Sequence, residues 1–314
     1  MGRFATPGIG VGLGALGALL YLSVLIGSPG ALILAYLAQL PLFAAGLWLG
    51  LGASIAAGAG ALVLVATAAG VSTAAVFAAL YVVPIVLLTR QALLARHGPD
   101  GAVEWYPAGL LTAWLTVLGL AAMGTAIALL GGPSGIEALL GQMLAPAIDR
   151  LAEAGGSNRE ALTRLVALVT PGTIAASWMA MTASNAVLAQ GVLARFGRAW
   201  RPSPDLAALT LPRWLSGLLA AAAALSVFAG AARFFGVNVL IVLSVPFCLA
   251  GLAVLHTAAR RLPRPQIPLV GFYVLAGLFG WPLLLAAVVG ALDAPLGLRR
   301  RFSPARPIGG RLDD

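Results

Sequence analysis

A stretch of 86 residues, from Phe4 to Thr89, contains no Asp, Glu, Lys, Arg or His. A helix needs about 20 apolar residues to cross a bilayer, so this stretch has room for four crossings. Only 9% of the 314 residues are charged, against about 25% in soluble domains. So few charges cannot cover the surface of a soluble protein. The sequence therefore predicts an all-α, polytopic integral membrane bundle whose main partner is the lipid bilayer.

Glycine, proline and short polar loops divide the chain into apolar runs of membrane-spanning length. These runs predict about nine or ten transmembrane segments, at about 8–25, 31–48, 51–69, 71–88, 108–130, 165–193, 214–231, 238–258 and 266–298. We expect the first run to be retained, because it is long for a signal-peptide core and another span follows it. The chain then has three parts: a six-helix membrane core (1–194), C-terminal membrane helices (195–298) and a basic polar tail (299–314).

One long polar segment, 131–164, interrupts the membrane core. Ser134 and Glu137 form a capping-box pattern, and apolar residues then recur at helical spacing. Ser157 and Glu160 repeat the pattern before the next span. We expect an extracytoplasmic amphipathic helix. It either lies on the membrane surface or packs over the ends of neighbouring helices, and the sequence leaves both alternatives open.

All 19 basic residues are Arg, and they cluster in alternate loops. With the N-terminus inside, the inner loops as far as Arg264 carry ten Arg and the outer loops carry four. The positive-inside rule therefore predicts a cytoplasmic N-terminus. No aromatic–basic groove is present, so we expect no nucleic-acid partner.

The last apolar run, 266–298, either crosses the membrane once or turns back at Gly280-Trp281-Pro282. Turning back puts the five arginines of the tail on the same side as the other ten, which the positive-inside rule favours. Each arm then has about 15 residues and a length of about 22 Å, which is too short to cross upright. A re-entrant hairpin and a kinked single span both stay open.

Polar side chains inside predicted spans are the best candidates for a binding site, because an unpaired polar group is costly in lipid. The span at 165–193 is the richest in them, and Gln39 with Tyr36 is a weaker pair of the same kind. Asn238 is expected to cap the start of its helix. Hydrogen bonding between helices is the alternative to ligand binding, and the sequence leaves both open. The candidate ligand-binding residues are Thr170, Thr173, Ser177, Trp178, Thr182 and Asn185.

Small residues recur every four positions in the first span, at Gly10, Gly14 and Ala18. Such a stripe lets another helix approach closely. It is either a contact within the bundle, which we favour, or a docking site for a partner protein. Gly50, Ser54 and Gly58 form a second stripe of this kind.

Enzyme signatures are missing from the sequence. The two histidines are far apart, so there is no His-x-x-x-His metal pair, and no Gly-x-Ser-x-Gly elbow occurs. We therefore expect no catalytic centre, no metal site and no cofactor.

Several short blocks occur in an order that resembles the YybS-like bacterial membrane proteins, a family of unknown function, over nearly the whole chain. That family is distantly similar, through the first six helices, to the substrate-binding S components of energy-coupling-factor vitamin transporters. The helices after the sixth and the insertion 131–164 have no S-component counterpart. The blocks are Ser184-Asn185, Ala194-Arg195-Phe196-Gly197, Leu211-Pro212-Arg213-Trp214, Phe235-Gly236-Val237-Asn238, Leu249-Ala250-Gly251-Leu252-Ala253-Val254 and Gly290-Ala291-Leu292-Asp293.

The resemblance implies a multi-pass protein of the bacterial cytoplasmic (inner) membrane that binds or takes up a small molecule. Having no ATPase of its own, it would act with a transport coupling subunit and an ATPase as partners. In S components the small-residue stripe of helix 1 docks on the coupling subunit, which here corresponds to Gly10, Gly14 and Ala18. The substrate would lie in the outer half of the bundle, beside Thr170, Thr173, Ser177 and Trp178. The alternative is a membrane scaffold or interaction protein with no transport role.

Overall fold

The computed structural model describes residues 5–98, 101–147, 149–150 and 158–299. It is 83% helical. A two-stranded antiparallel hairpin, β1 (Ala95–His97) with β2 (Val103–Trp105), occupies the polar loop 90–107 and was not predicted. The helices are α1 (Ala5–Leu22), α2 (Pro29–Tyr36), α3 (Gln39–Leu49), α4 (Leu51–Ala69), α5 (Val71–Phe77), α6 (Val83–Ala92), α7 (Ala108–Leu129), α8 (Gly132–Met143), α9 (Arg159–Arg195), α10 (Arg213–Ser226), α11 (Ala231–Ala259), α12 (Gln266–Phe279) and α13 (Trp281–Leu296).

Seven helical segments of the described chain are long and apolar enough to cross a membrane, which is compatible with a multi-pass membrane protein. Nine or ten spans were predicted. The difference arises because α10, α12 and α13 have only 14, 14 and 16 residues. At 1.5 Å per residue they are about 21–24 Å long, less than the roughly 30 Å of a bilayer core. The seven segments are Gly8–Ile26, Pro29–Leu49, Leu51–Ala69, Val71–Ala92, Ala108–Leu129, Arg159–Arg195 and Ala231–Ala259.

The two helix starts in the polar segment 131–164 differ from the predicted capping boxes. Helix α8 begins at Gly132, after a left-handed Gly131 (φ 82°), and a proline lies in its first turn. Ser134 therefore lies inside the helix and does not cap it. Helix α9 is capped by Asn158, whose side chain accepts a hydrogen bond from the backbone N–H of Glu160 at 2.8 Å. The predicted cap, Ser157, lies outside the described residues.

Ten of the fourteen described arginines lie at one end of the bundle. We call this end the arginine-rich face; it comprises segments 90–98, 101–107, 195–213 and 260–265 together with Arg299. Contacts between distant segments hold it together, and they also bring the α3–α4 junction to the same end. By the positive-inside rule this is the face expected to be cytoplasmic. The contacts are Trp48–Arg198, Ala92–Arg201, Asp205–Arg260 and Leu209–Arg299.

The last apolar run turns back on itself. It breaks at Gly280, whose φ is +71°, and α13 then packs along α11. Arg299, beyond α13, forms an ion pair with Asp293 at 2.7 Å and donates a hydrogen bond to the carbonyl of Leu209. The start of the run lies nearby. Arg260, six residues before it, pairs at 2.7 Å with Asp205, which lies in the loop that also contains Leu209. Both ends therefore lie at the arginine-rich face, as in the re-entrant alternative.

Candidate functional site in the helix bundle

The six candidate residues on α9 divide into an inward and an outward group. Thr182 and Asn185 are buried, at 0% and 2% exposure, and Trp178 is half-buried. These three follow each other at the spacing i, i+4, i+7, and they face the neighbouring helices as predicted. Thr173 and Ser177 are exposed and Thr170 is half-buried. The structure does not bring these last three into the interior with the others.

The indole N–H of Trp178 forms a hydrogen bond to another helical segment of the bundle. Pro84 has no N–H, so the carbonyl of Leu80, four residues earlier, lacks its α-helical donor. The chain between α5 and α6 responds with one π-helical turn at Ala78–Val82. The indole Nε1 of Trp178 donates to the Leu80 carbonyl at 2.9 Å. Trp178 therefore ties α9 to this irregular turn.

Asn238 bonds to the backbone of α9 next to Pro171, which lies inside that helix. The amide Nδ2 of Asn238 donates to the carbonyl of Leu168 at 2.8 Å, and Oδ1 accepts from the N–H of Gly172 at 2.5 Å. In a regular α-helix these two backbone groups bond to each other, so the side chain of Asn238 bridges a donor and an acceptor of the same helical turn. Asn238 lies within α11 and is fully buried. The prediction that it caps a helix is wrong, because α11 begins seven residues earlier, at Ala231.

Four buried side chains on four helices carry polar atoms with no hydrogen-bond partner among the described residues. We call them the buried polar set. The sequence pattern indicated Asn185 and, more weakly, Gln39. Thr89 was not predicted and Ser54 was predicted to serve helix packing, because single hydroxyls in apolar runs give no distinctive signal. The atoms are both amide atoms of Gln39, Oγ of Ser54, Oγ1 of Thr89 and Oδ1 of Asn185.

Gln39 and Asn185 lie close to each other along the bundle. Nδ2 of Asn185 donates to the carbonyl of Tyr36 at 2.8 Å, at the end of α2 and three residues before Gln39. Helices α3 and α9 pack against each other along this region. The amide oxygen of Asn185 is left unpartnered beside the segment that carries the unpartnered amide of Gln39. These two amides form the centre of the candidate site.

Ser54 and Thr89 meet at Gly46, nearer to the arginine-rich face. A Cβ on Gly46 would overlap the γ-methyl of Thr89 and lie 3.1 Å from Oγ of Ser54. Gln39 and Gly46 are seven residues apart, so they share one face of α3 and are separated by about 10 Å. The buried polar set therefore extends along the bundle from the two amides toward the arginine-rich face.

Leaving these groups unpaired is costly. A buried polar group without a partner costs about 1–3 kcal/mol, and most such groups in native proteins are satisfied by protein or by ordered water. The set provides both donors and acceptors, since an amide and a hydroxyl each offer both. It contains no ionisable side chain. These groups can bond to neutral donors and acceptors.

The small-residue stripe of α1 is covered by another part of the chain. Gly10, Gly14 and Ala18 are buried. A Cβ on Gly10 would lie 3.0 Å from the carbonyl oxygen of Ala53, and one on Gly14 would overlap the backbone of Ala57. The stripe thus packs α1 against α4, which is the internal-packing alternative. These residues are therefore covered by α4 in this structure.

Loop 196–212 connects the ends of several helices at the arginine-rich face. Arg201 is buried and donates to the carbonyl of Ala92 at 3.2 Å, while its own carbonyl accepts from Nε2 of Gln190 at 2.8 Å. Burial lowers the pKa of the Arg201 guanidinium. The hydrogen bond from Arg260 lowers the pKa of Asp205 below its ordinary value. These contacts fix the loop relative to α6, α9 and α11.

Comparison with protein-family models, with curated proteins and with solved structures finds no match to this chain. The fold by itself defines a polytopic all-α bundle with helices of membrane-spanning length. The resemblance to YybS-like proteins and to S components therefore rests on the short sequence blocks alone.

Proposed function

We propose that this chain is a small-molecule-binding subunit of a membrane uptake system. The observation that carries the proposal is the buried polar set, in which five side-chain atoms on four packed helices have no partner among the described residues. The amides of Gln39 and Asn185 are the main contacts, and Ser54 and Thr89 extend the site toward the arginine-rich face. The resemblance to S components supports the same role, and the sequence has no phosphate-binding loop of its own.

The proposed ligand is polar and uncharged. No ionisable side chain belongs to the buried polar set, and burying a charge without a counter-charge is far more costly than burying a neutral polar group. Gln39 offers a donor and an acceptor, and Asn185 offers its remaining acceptor. A ligand bearing an amide or several hydroxyls satisfies both.

Replacing Gln39 by Leu tests the proposal. The variant removes both unpartnered amide atoms. Without ligand, its free energy of unfolding should therefore exceed that of the wild type by about 1–3 kcal/mol. The same variant should lose the metabolite that the wild type retains. Native mass spectrometry of protein purified in mild detergent measures retention, and denaturant titration measures stability.

Thr67→Val is the matched control, because the Thr67 hydroxyl is exposed and bonds only to carbonyls of its own helix. It should leave both ligand retention and stability unchanged. Wild-type preparations that hold no metabolite and are stabilised by none would contradict the proposal. They would favour the scaffold alternative, in which the amides are unused or bind only water.

A further inference from the structure

A second polar feature lies away from the buried polar set, in a cleft of about 500 Å³ at the arginine-rich face. We call it the Trp48 cleft. Helix α3 provides one wall, and the segment following α9 provides the rest. The lining residues are Trp48, Phe196, Gly197, Arg198, Ala199 and Trp200.

The end of α9 positions an arginine in this cleft. Gly197 has a φ of +63°, and the N–H of Arg198 bonds back to the carbonyl of Leu193 at 2.8 Å. This left-handed termination is typical of helix C-termini and fixes the direction in which the chain leaves. The Arg198 guanidinium carbon consequently lies 4.7 Å from the centre of the Trp48 ring. Stacking on an aromatic face holds the cation in place without neutralising it.

Arg198 has no carboxylate partner in the part of the chain that the structure describes. Its side chain is exposed to the cleft, and the nearest acidic residue along the chain, Asp205, is engaged by Arg260. Arg195 adds a further exposed positive charge one turn earlier. A stacked, unpaired guanidinium presents a fork of N–H donors that matches a phosphate group.

The rim of the cleft indicates where that phosphate comes from. Trp200 is 61% exposed and Phe196 is 70% exposed, at the end of a helix of membrane-spanning length. Exposed tryptophan at span ends is typical of the level of the lipid headgroups. We propose that the Trp48 cleft binds an anionic phospholipid, with Arg198 on the phosphate and the aromatic rings against the glycerol and upper acyl chains.

Retention of phosphatidylglycerol tests the lipid site. Protein released from bilayers containing equal amounts of phosphatidylglycerol and phosphatidylcholine should retain phosphatidylglycerol selectively, as measured by native mass spectrometry. Arg198→Gln should reduce this retention about tenfold, the effect of losing one charge-assisted contact. Arg198→Lys keeps the charge but not the fork, and should retain an intermediate amount.

Arg264→Gln is the matched control, because Arg264 is an exposed arginine on the same face. It should leave retention unchanged. An equal loss in both Gln variants would overturn the proposal, since it would indicate diffuse attraction to the positive face. Arg198-dependent binding of inorganic phosphate in lipid-free detergent, with no selectivity between the two lipids, would also overturn it and assign the cleft to a soluble phosphate. Unchanged melting temperatures would show that each variant is folded.

Discussion

Replacing Asn238 by Leu removes the side chain that bonds to the backbone of α9 beside Pro171. Two hydrogen bonds between helices are lost, to Leu168 and to Gly172, and the shape of the side chain is nearly kept. Such bonds in membrane proteins average about 0.6 kcal/mol and reach about 1.7 kcal/mol. The two together predict a loss of about 1–3 kcal/mol in the free energy of unfolding, measured by denaturant titration in mixed micelles.

We attribute this loss of stability to the proline beside the contact, so the cost of Asn238→Leu should depend on Pro171. With Pro171→Ala the helix can close, and Gly172 can donate directly to Leu168 as in an ordinary α-helix. Asn238→Leu should then cost less than half of what it costs when the proline is present. Ser244→Ala is the control, because the Ser244 hydroxyl bonds only within its own helix. An equal cost of Asn238→Leu in both backgrounds would refute the bridging role.

Two further predictions concern the packing of α1 and the loop at the arginine-rich face. Gly14→Ala should destabilise the protein by about 1–3 kcal/mol or more, because the added methyl overlaps the backbone of Ala57. Gly12→Ala, which meets nothing within 4 Å, should instead stabilise the protein by up to about 1 kcal/mol in the same titration, because alanine is the better helix former. Asp205→Asn should lower the melting temperature at pH 7. Because Arg260 holds the pKa of Asp205 below its ordinary value, the ion pair contributes above about pH 4 and is lost as the pH falls further through the folded-state pKa. The difference from the wild type should therefore narrow as the pH falls below about 4, and a difference that does not narrow there would contradict the assignment.

Helix positions could be predicted where local chemistry determines them. The span 51–69 was predicted with the ends that the structure gives it. The reason is local, since Gly50 and Gly70 both adopt positive φ, at 94° and 88°, and glycine is the residue that does so without steric cost. The turn at Gly280 has the same origin.

The sequence could not predict which polar groups pair with each other when they lie far apart in the chain. Asn238 and Gly172 are 66 residues apart, and Trp178 is 98 residues from its acceptor, Leu80. Both pairings lie beside a proline, and the carbonyl of Leu80 is the group that Pro84 leaves without its α-helical donor. Pro171 and Pro84 can be read from the sequence, but the side chains that lie beside them in the fold cannot.

Hydrogen-bond completeness distinguishes the amide of Asn238 from the amides of the proposed binding site. Asn238 uses both atoms of its amide, since Nδ2 also donates to Phe234 at 2.8 Å, whereas Gln39, equally buried, uses neither. Two amides of the same chemistry in one bundle therefore predict opposite effects of the same substitution. Asn238→Leu leaves the N–H of Gly172 and the carbonyl of Leu168 without their hydrogen bonds to Asn238, and it should destabilise the protein. Leu at Gln39 removes an unsatisfied group and should stabilise the protein at the expense of ligand binding, because a stability cost that no structural contact offsets is characteristic of a binding site.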